Sequence, residues 1–201
     1  MAGWTIHKGE AAHLPHDNID TDQIIPARFM SQPRSAGYGE FLFHDMRRNA
    51  DGTLDPAFPL NGRTTSSILI AGRNFGSGSS REAAVYALVD AGIKVVIAPA
   101  FGDIFASNAV NNGLLPAHIS RADAEKLAHS PSGAEVSIDL TDRTITVGGH
   151  SFAFVLQESW RSKLVNGWDD IDLTLQHADA IEAFKGHARE ATPCKWPTSK
   201  T

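Results

Sequence analysis

Cysteine is nearly missing from this chain: among 201 residues only Cys194 carries a thiol, in the Pro-rich segment ATPCKWPTSK. One thiol closes no internal disulfide and cannot by itself hold an iron–sulfur cluster. Long apolar runs are missing too, since none approaches the roughly 20 residues of a membrane span. The N-terminal stretch MAGWTIHKGEAAHLPHD lacks the apolar core of a signal peptide. Positive charge is not in excess: the formal net charge is −5, and no basic stripe offers a footprint for nucleic acid or an anionic membrane. The nine histidines are scattered, with no pair at metal-binding helical spacing. What these absences leave is a soluble, cytoplasmic protein with no metal site of its own. Its composition, 42% hydrophobic and 20% charged, suits a chain that buries about 70% of the surface exposed when unfolded.

The pattern along the chain changes twice. Pro15, Pro26, Pro33, Pro56 and Pro59, with glycines between them, make residues 1–66 irregular and forbid long helices. One short helix fits near Phe41–Arg48. From Ser67 the apolar runs SILIAG, IKVVIAP and GLLPAHI alternate with helical patterns, one from Ser80 and one in FGDIFASNAVNN. Short apolar strands alternating with helices form βαβ units around a parallel sheet. After these, AEVSIDL, TITVGG and SFAFVLQ alternate apolar with polar residues, separated by Thr141-Asp142-Arg143 and Gly148-Gly149. That punctuation is typical of antiparallel hairpins. Two helices follow near Glu158–Asn166 and Leu173–Phe184, with Asn166-Gly167 as a helix stop. The expectation is an α/β fold: one domain over 1–201, a mostly parallel sheet with antiparallel C-terminal hairpins, and a loose tail over 191–201.

The segment GRNFGSGSSREAAVYAL, Gly72–Leu88, opens a helix with glycines, serines and an arginine. It lacks the lysine of a Walker phosphate loop. It also lacks the third glycine of a dinucleotide fingerprint, because Arg81 stands there. Two readings survive. In one, Ser79 and Glu82 form a capping box, which accounts for those two residues alone. In the other, Gly76 and Gly78 leave backbone N–H groups unobstructed at a helix start, an anion site to which Arg81 adds a two-point grip on a carboxylate. A serine beside such positive charge could serve as a general base. Spacing alone leaves both readings open.

Four segments in order carry a resemblance: HDNIDTDQIIPARFM (His16–Met30), NFGSGSSRE (Asn74–Glu82), VVIAPAFGDIF (Val95–Phe105) and NGWDDIDLTLQHADAIEAF (Asn166–Phe184). Together they resemble the small-subunit family of 3-isopropylmalate dehydratase, within the wider aconitase family. The resemblance implies a swivelling β/β/α domain that closes over a separate large subunit, which holds a four-iron four-sulfur cluster. It implies a small diacid substrate and dehydration followed by rehydration. Ser79 matches the family's base, Ser80 and Arg81 its substrate-carboxylate contacts, and Asp22 an aspartate lining the site, with Asp20 a second candidate. Turn or cap duty is the competing role for both aspartates. Where many bacterial members have histidine after the glutamate, this chain has Ala83.

The segment PARFMSQPRSAGYG, Pro26–Gly39, holds two prolines and two glycines and is expected as a loop. In the family the loop after the aspartate motif faces the active site and carries specificity, which nominates Arg28, Phe29 and Met30. Their competing role is to fold into the core or meet the large subunit. Rival functions stay open: a related hydro-lyase acting on citraconate, dimethylmalate or a homologous acid, or a non-enzymatic anion-binding or regulatory module. The net charge of −5 counts against an RNA-binding relative.

Overall fold

Seven short strands form one sheet: β1 (Ile6–Leu14), β2 (Ser66–Ala71), β3 (Val95–Ala98), β4 (Leu115–His118), β5 (Glu135–Asp139), β6 (Thr144–Val147) and β7 (His150–Ala153). Around it lie α1 (Thr21–Ile24), α2 (Glu82–Asp90), α3 (Asp103–Asn111), α4 (Arg121–Ala128), α5 (Glu158–Asn166), α6 (Asp170–Leu175) and α7 (Ala178–Ala191). This computed structural model describes residues 2–62, 65–79, 81–131, 133–192 and 195. The strand order is β4-β3-β2-β1-β5-β6-β7. β1 to β4 pair in parallel, and β5 to β7 continue from β1 as antiparallel strands. The α/β expectation holds.

Side-chain alternation divides the interior in two. Leu69, Ala71, Val96 and Ala98 face one core with Leu14, Phe43, Phe75, Leu88 and Phe105. Ile68, Ile70, Val95 and Ile97 face the other, with Val136, Ile138, Ile145, Leu127 and Leu164. Every residue of β3 is buried, as a parallel strand covered on both faces requires. β5 instead alternates, burying Val136 and Ile138 between more open neighbours. The sheet curls far enough for the His118 carbonyl, on edge strand β4, to accept the Val155 N–H at 2.8 Å just beyond β7.

Three expectations need correction. Residues 1–66 are not uniformly irregular, because they include β1, the strand that joins the parallel and antiparallel halves. No α-helix covers Phe41–Arg48: a 3-10 turn over Tyr38–Phe41 is followed by turns, with Phe43 at φ +50°. The helix expected over Leu173–Phe184 is two helices. The Asp169 carboxylate caps α6 by accepting the Ile171 and Asp172 amides, and His177 starts α7. α7 runs through Ala191; of the tail expected over 191–201, Pro193, Cys194 and 196–201 lie outside the described residues. Lys163, only 4% exposed, ties α5 to its neighbours. Its Nζ donates to Asn111 Oδ1 at 2.9 Å and pairs with Asp170, whose carboxyl it holds below the usual range. Among the described residues no helix is long and apolar enough to cross a membrane.

Candidate active site at the sheet edge

Three chain segments meet beyond the C-terminal ends of the parallel strands, the edge where open α/β sheets place ligands. They follow β1 (15–25), β2 (72–81) and β3 (99–102). Backbone hydrogen bonds weave them together. Asn18 N donates to Arg73 O at 2.7 Å, Gly76 N to Ile19 O at 2.8 Å and Thr21 N to Ser77 O at 3.0 Å. On the other side, Phe75 N donates to Ala100 O at 3.0 Å and Gly102 N to Phe75 O at 2.9 Å. The Thr21 hydroxyl donates to the Ser79 carbonyl at 3.0 Å. The turn demands glycine at two points. At Gly76 a Cβ would stand 2.2 Å from the Phe105 ring. Gly78 has φ +89°, a region L side chains avoid.

Between these segments and the start of α3 lies a cleft of about 270 Å³. Thr21, Ser77, Ser79 and Arg81 line it, together with Asp103 and Ile104 from α3. Ser79 is exposed. The Arg81 guanidinium is paired with the Asp22 carboxylate. Asp22 stands on α1 and Arg81 before α2, so the fold brings together two candidates 59 residues apart.

The capping box does not form. α2 begins at Glu82, its N-cap is Arg81 in an extended conformation, and no side chain caps it. Ser79 is therefore too far before the first helical residue to take up its amides. Glu82 turns elsewhere, accepting from Asn112 Nδ2 at 2.9 Å. Cap duty falls to Asp20, which accepts the Gln23 amide at 2.8 Å while Gln23 Oε1 accepts the Asp20 amide at 2.9 Å. Asp22 is thus left for Arg81. Ser80 lies outside the described residues. Ala83 packs against the core. Thr21, which anchors the Ser79 carbonyl, is absent from the sequence-based candidates; its place between two nominated aspartates was the available signal.

Arg28, Phe29 and Met30 do not line this cleft. They occupy the 3-10 turn Ala27–Phe29 and its cap. Arg28 forms a two-point pair with Asp45 and lies 4.6 Å over the Phe29 ring. Phe29 stacks on Phe41 with centroids 4.4 Å apart, and Met30 packs partly buried against the core. The Arg28 guanidinium, and after it His44, holds the Asp45 carboxyl well below the usual carboxylate range. The expected loop is present, built from three 3-10 turns.

Comparison with known proteins gives the family. A family model described as the aconitase C-terminal domain matches residues 1–122. A second, described as the C-terminal domain of the 3-isopropylmalate dehydratase small subunit, matches residues 170–193. The 3-isopropylmalate dehydratase small subunit of Bacillus cereus (strain AH820) is 43% identical over 187 residues, 92% of this chain and 97% of its own. That of Shouchella clausii (strain KSM-K16) is 46% identical over 184 residues, 90% of this chain and 93% of its own. The crystal structure of 3-isopropylmalate dehydratase from Methanocaldococcus jannaschii superimposes with a TM-score of 0.65 at 29% identity. It covers 90% of this chain and 99% of its own.

Proposed function

The chain belongs to the small-subunit family of 3-isopropylmalate dehydratase, aconitase-type hydro-lyases that work with a large subunit, and on that premise we propose that its cleft supplies the base and the substrate grip for interconverting 2-isopropylmalate and 3-isopropylmalate, in the cytoplasm and in leucine biosynthesis. One observation carries the reading: Ser79 and Arg81 share a cleft, and Arg81 already holds a carboxylate, that of Asp22. A substrate carboxylate takes the same guanidinium in a two-point manner, with Ser80 as the neighbouring contact. The backbone amides of the Gly76–Gly78 turn add partial positive charge. In that field Ser79 acts as an alkoxide and takes the proton from the carbon next to the one bearing hydroxyl. Loss of that proton and of the hydroxyl gives 2-isopropylmaleate. Return of the proton to the carbon that lost the hydroxyl, and of hydroxyl to its neighbour, completes the exchange.

The hydroxyls, amides, guanidinium and carboxylate of this cleft are not the thiolates that hold an iron–sulfur cluster. A four-iron four-sulfur cluster on the large subunit fits the remaining requirement, a Lewis acid for the departing hydroxyl. Phe29 and Met30 lie outside the cleft, half-buried on the loop after α1, and offer apolar surface for the isopropyl group once the two subunits close on one another; the Asp45 pair neutralises Arg28 beside them. The test is reconstitution. The purified chain alone should be folded, colourless and inactive, and turnover of 2-isopropylmalate should appear on adding the cluster-bearing large subunit. Iron–sulfur absorbance with turnover in the chain alone, or a complex that prefers a different diacid, would overturn it.

A further inference from the structure

A second cavity is roomier than the cleft. About 440 Å³ opens between α4 and the C-terminal ends of β1, β2 and β3, at the mouth of the curled sheet. Small-molecule sites commonly span roughly 300–1,000 Å³ and favour such mouths. Ile70, Ala71, Pro99, Ala100 and Ala124 give it an apolar floor. Asp17, Arg73, Arg121 and Glu125 give it a charged rim. The rim charges pair with one another, Arg73 Nε with Asp17 at 3.8 Å and Arg121 Nε with Glu125 at 3.1 Å. Their side chains are between 55% and 84% exposed, and exposed pairs of this kind contribute little. They can therefore exchange partners with a ligand at small cost.

The rim's two positive and two negative groups sum to zero. A dianion such as the isomerase substrate meets as much repulsion as attraction, whereas a zwitterion finds a partner for each end. We propose that this cavity binds a free aliphatic α-amino acid of valine or leucine size. Its carboxylate lies on the arginines, its ammonium on Asp17 and Glu125, and its side chain on the apolar floor. The site communicates with the cleft because both are built on the same three segments. Asp17 Oδ1 accepts the Arg73 amide at 2.7 Å, Arg73 O accepts from Asn18, and Ala100 O accepts from Phe75. Those bonds set the path of the chain into Gly76–Arg81.

Calorimetry on the assembled two-subunit complex tests this with L-alanine, L-valine, L-leucine, 4-methylpentanoate and isopentylamine. Affinity should rise on the order of four-fold per added methylene. Removing either charge, as the last two probes do, should cost about tenfold or more. Glu125→Gln and Arg121→Ala should weaken L-leucine binding similarly and leave basal turnover unchanged, since α4 contributes nothing to the cleft. Saturating L-leucine should shift the apparent substrate KM by about five-fold. The site is overturned if millimolar L-leucine does not bind, if 4-methylpentanoate binds equally well, or if binding to the free chain vanishes in the complex because the large subunit sits over this face. Binding with an unchanged KM overturns the link to the cleft. The calorimetric result involves no turnover, so it stands apart from the reaction assigned above.

Discussion

The turn at Gly76–Arg81 and the loop at Pro26–Gly39 both carry candidate site residues, yet they spend their side chains differently. In the turn, main-chain groups do most of the holding, helped by the Thr21 hydroxyl on the Ser79 carbonyl, and Ser79 stands exposed at the cleft. In the loop, side chains do the holding. Arg28 grips Asp45, Phe29 stacks on Phe41, and Arg34 reaches Asp90 at 3.0 Å while lying 3.9 Å over the Tyr86 ring. A segment positioned by its backbone keeps its side chains available for a substrate. A segment positioned by its side chains mainly contributes shape.

Four positions can break or sharpen that contrast. The largest effect belongs to Ser79→Ala in the assembled enzyme. Turnover should fall by about 100-fold or more with little change in KM. Folding stability should change by less than about 0.5 kcal/mol, because no cap is lost. Steady-state kinetics beside chemical denaturation check both; normal turnover with a loss of about 1 kcal/mol would restore the capping role. Phe29→Ala should show the reverse, costing about 2 kcal/mol of stability for a half-buried stacked ring, less than a fully buried one. Phe29→Arg at the same position should shift preference toward a diacid with a polar substituent, by about 10- to 200-fold in relative kcat/KM. A denaturation midpoint unmoved by Phe29→Ala would mean that the loop is not anchored by its rings.

Arg81→Lys should raise the apparent KM about tenfold, as a single ammonium cannot reproduce the two-point grip. An unchanged KM would move the carboxylate contact elsewhere. The smallest effect concerns pH. The Asp45 carboxyl is held below its unfolded value, so its contribution to stability is present above about pH 4 and is lost as pH falls further. The pair is exposed and its contribution small. Asp45→Asn should therefore only flatten the acid limb of the stability profile, and a wild-type slope in that variant would show that the pair contributes nothing.

Strands with continuous apolar runs, β2 to β4, and those with alternation, β5 and β6, were legible because burial on both faces or on one leaves a distinct pattern; β7 has no buried residue and was marked by the Gly148-Gly149 turn before it. α5 falls on the expected Glu158–Asn166. β1 was not legible, since IHKGEAAHL mixes charge and glycine and only its second half is deeply buried. The break between α6 and α7 was hidden because the cap at Asp169 starts the first helix earlier than its apolar residues suggest. At the site, the glycines announced a special turn. The Arg81–Asp22 pair needed the third dimension, and the division of labour between Asp20 and Asp22 depended on which of them precedes the first helical residue.

The weave of peptide hydrogen bonds around Arg73–Ser79 bears on descent as well as catalysis. Every non-proline residue carries the same N–H and C=O, so replacing Ser77 removes none of the bonds that fix the path. Mutational drift can pass through such positions while the frame is inherited intact. The frame's vulnerable points are the few where the backbone itself is exceptional, Asn74, Gly76 and Gly78, all at positive φ, and there the tolerance ends. A lineage built on this plan can change the side chains around its cleft one at a time without having to reinvent the frame that holds them.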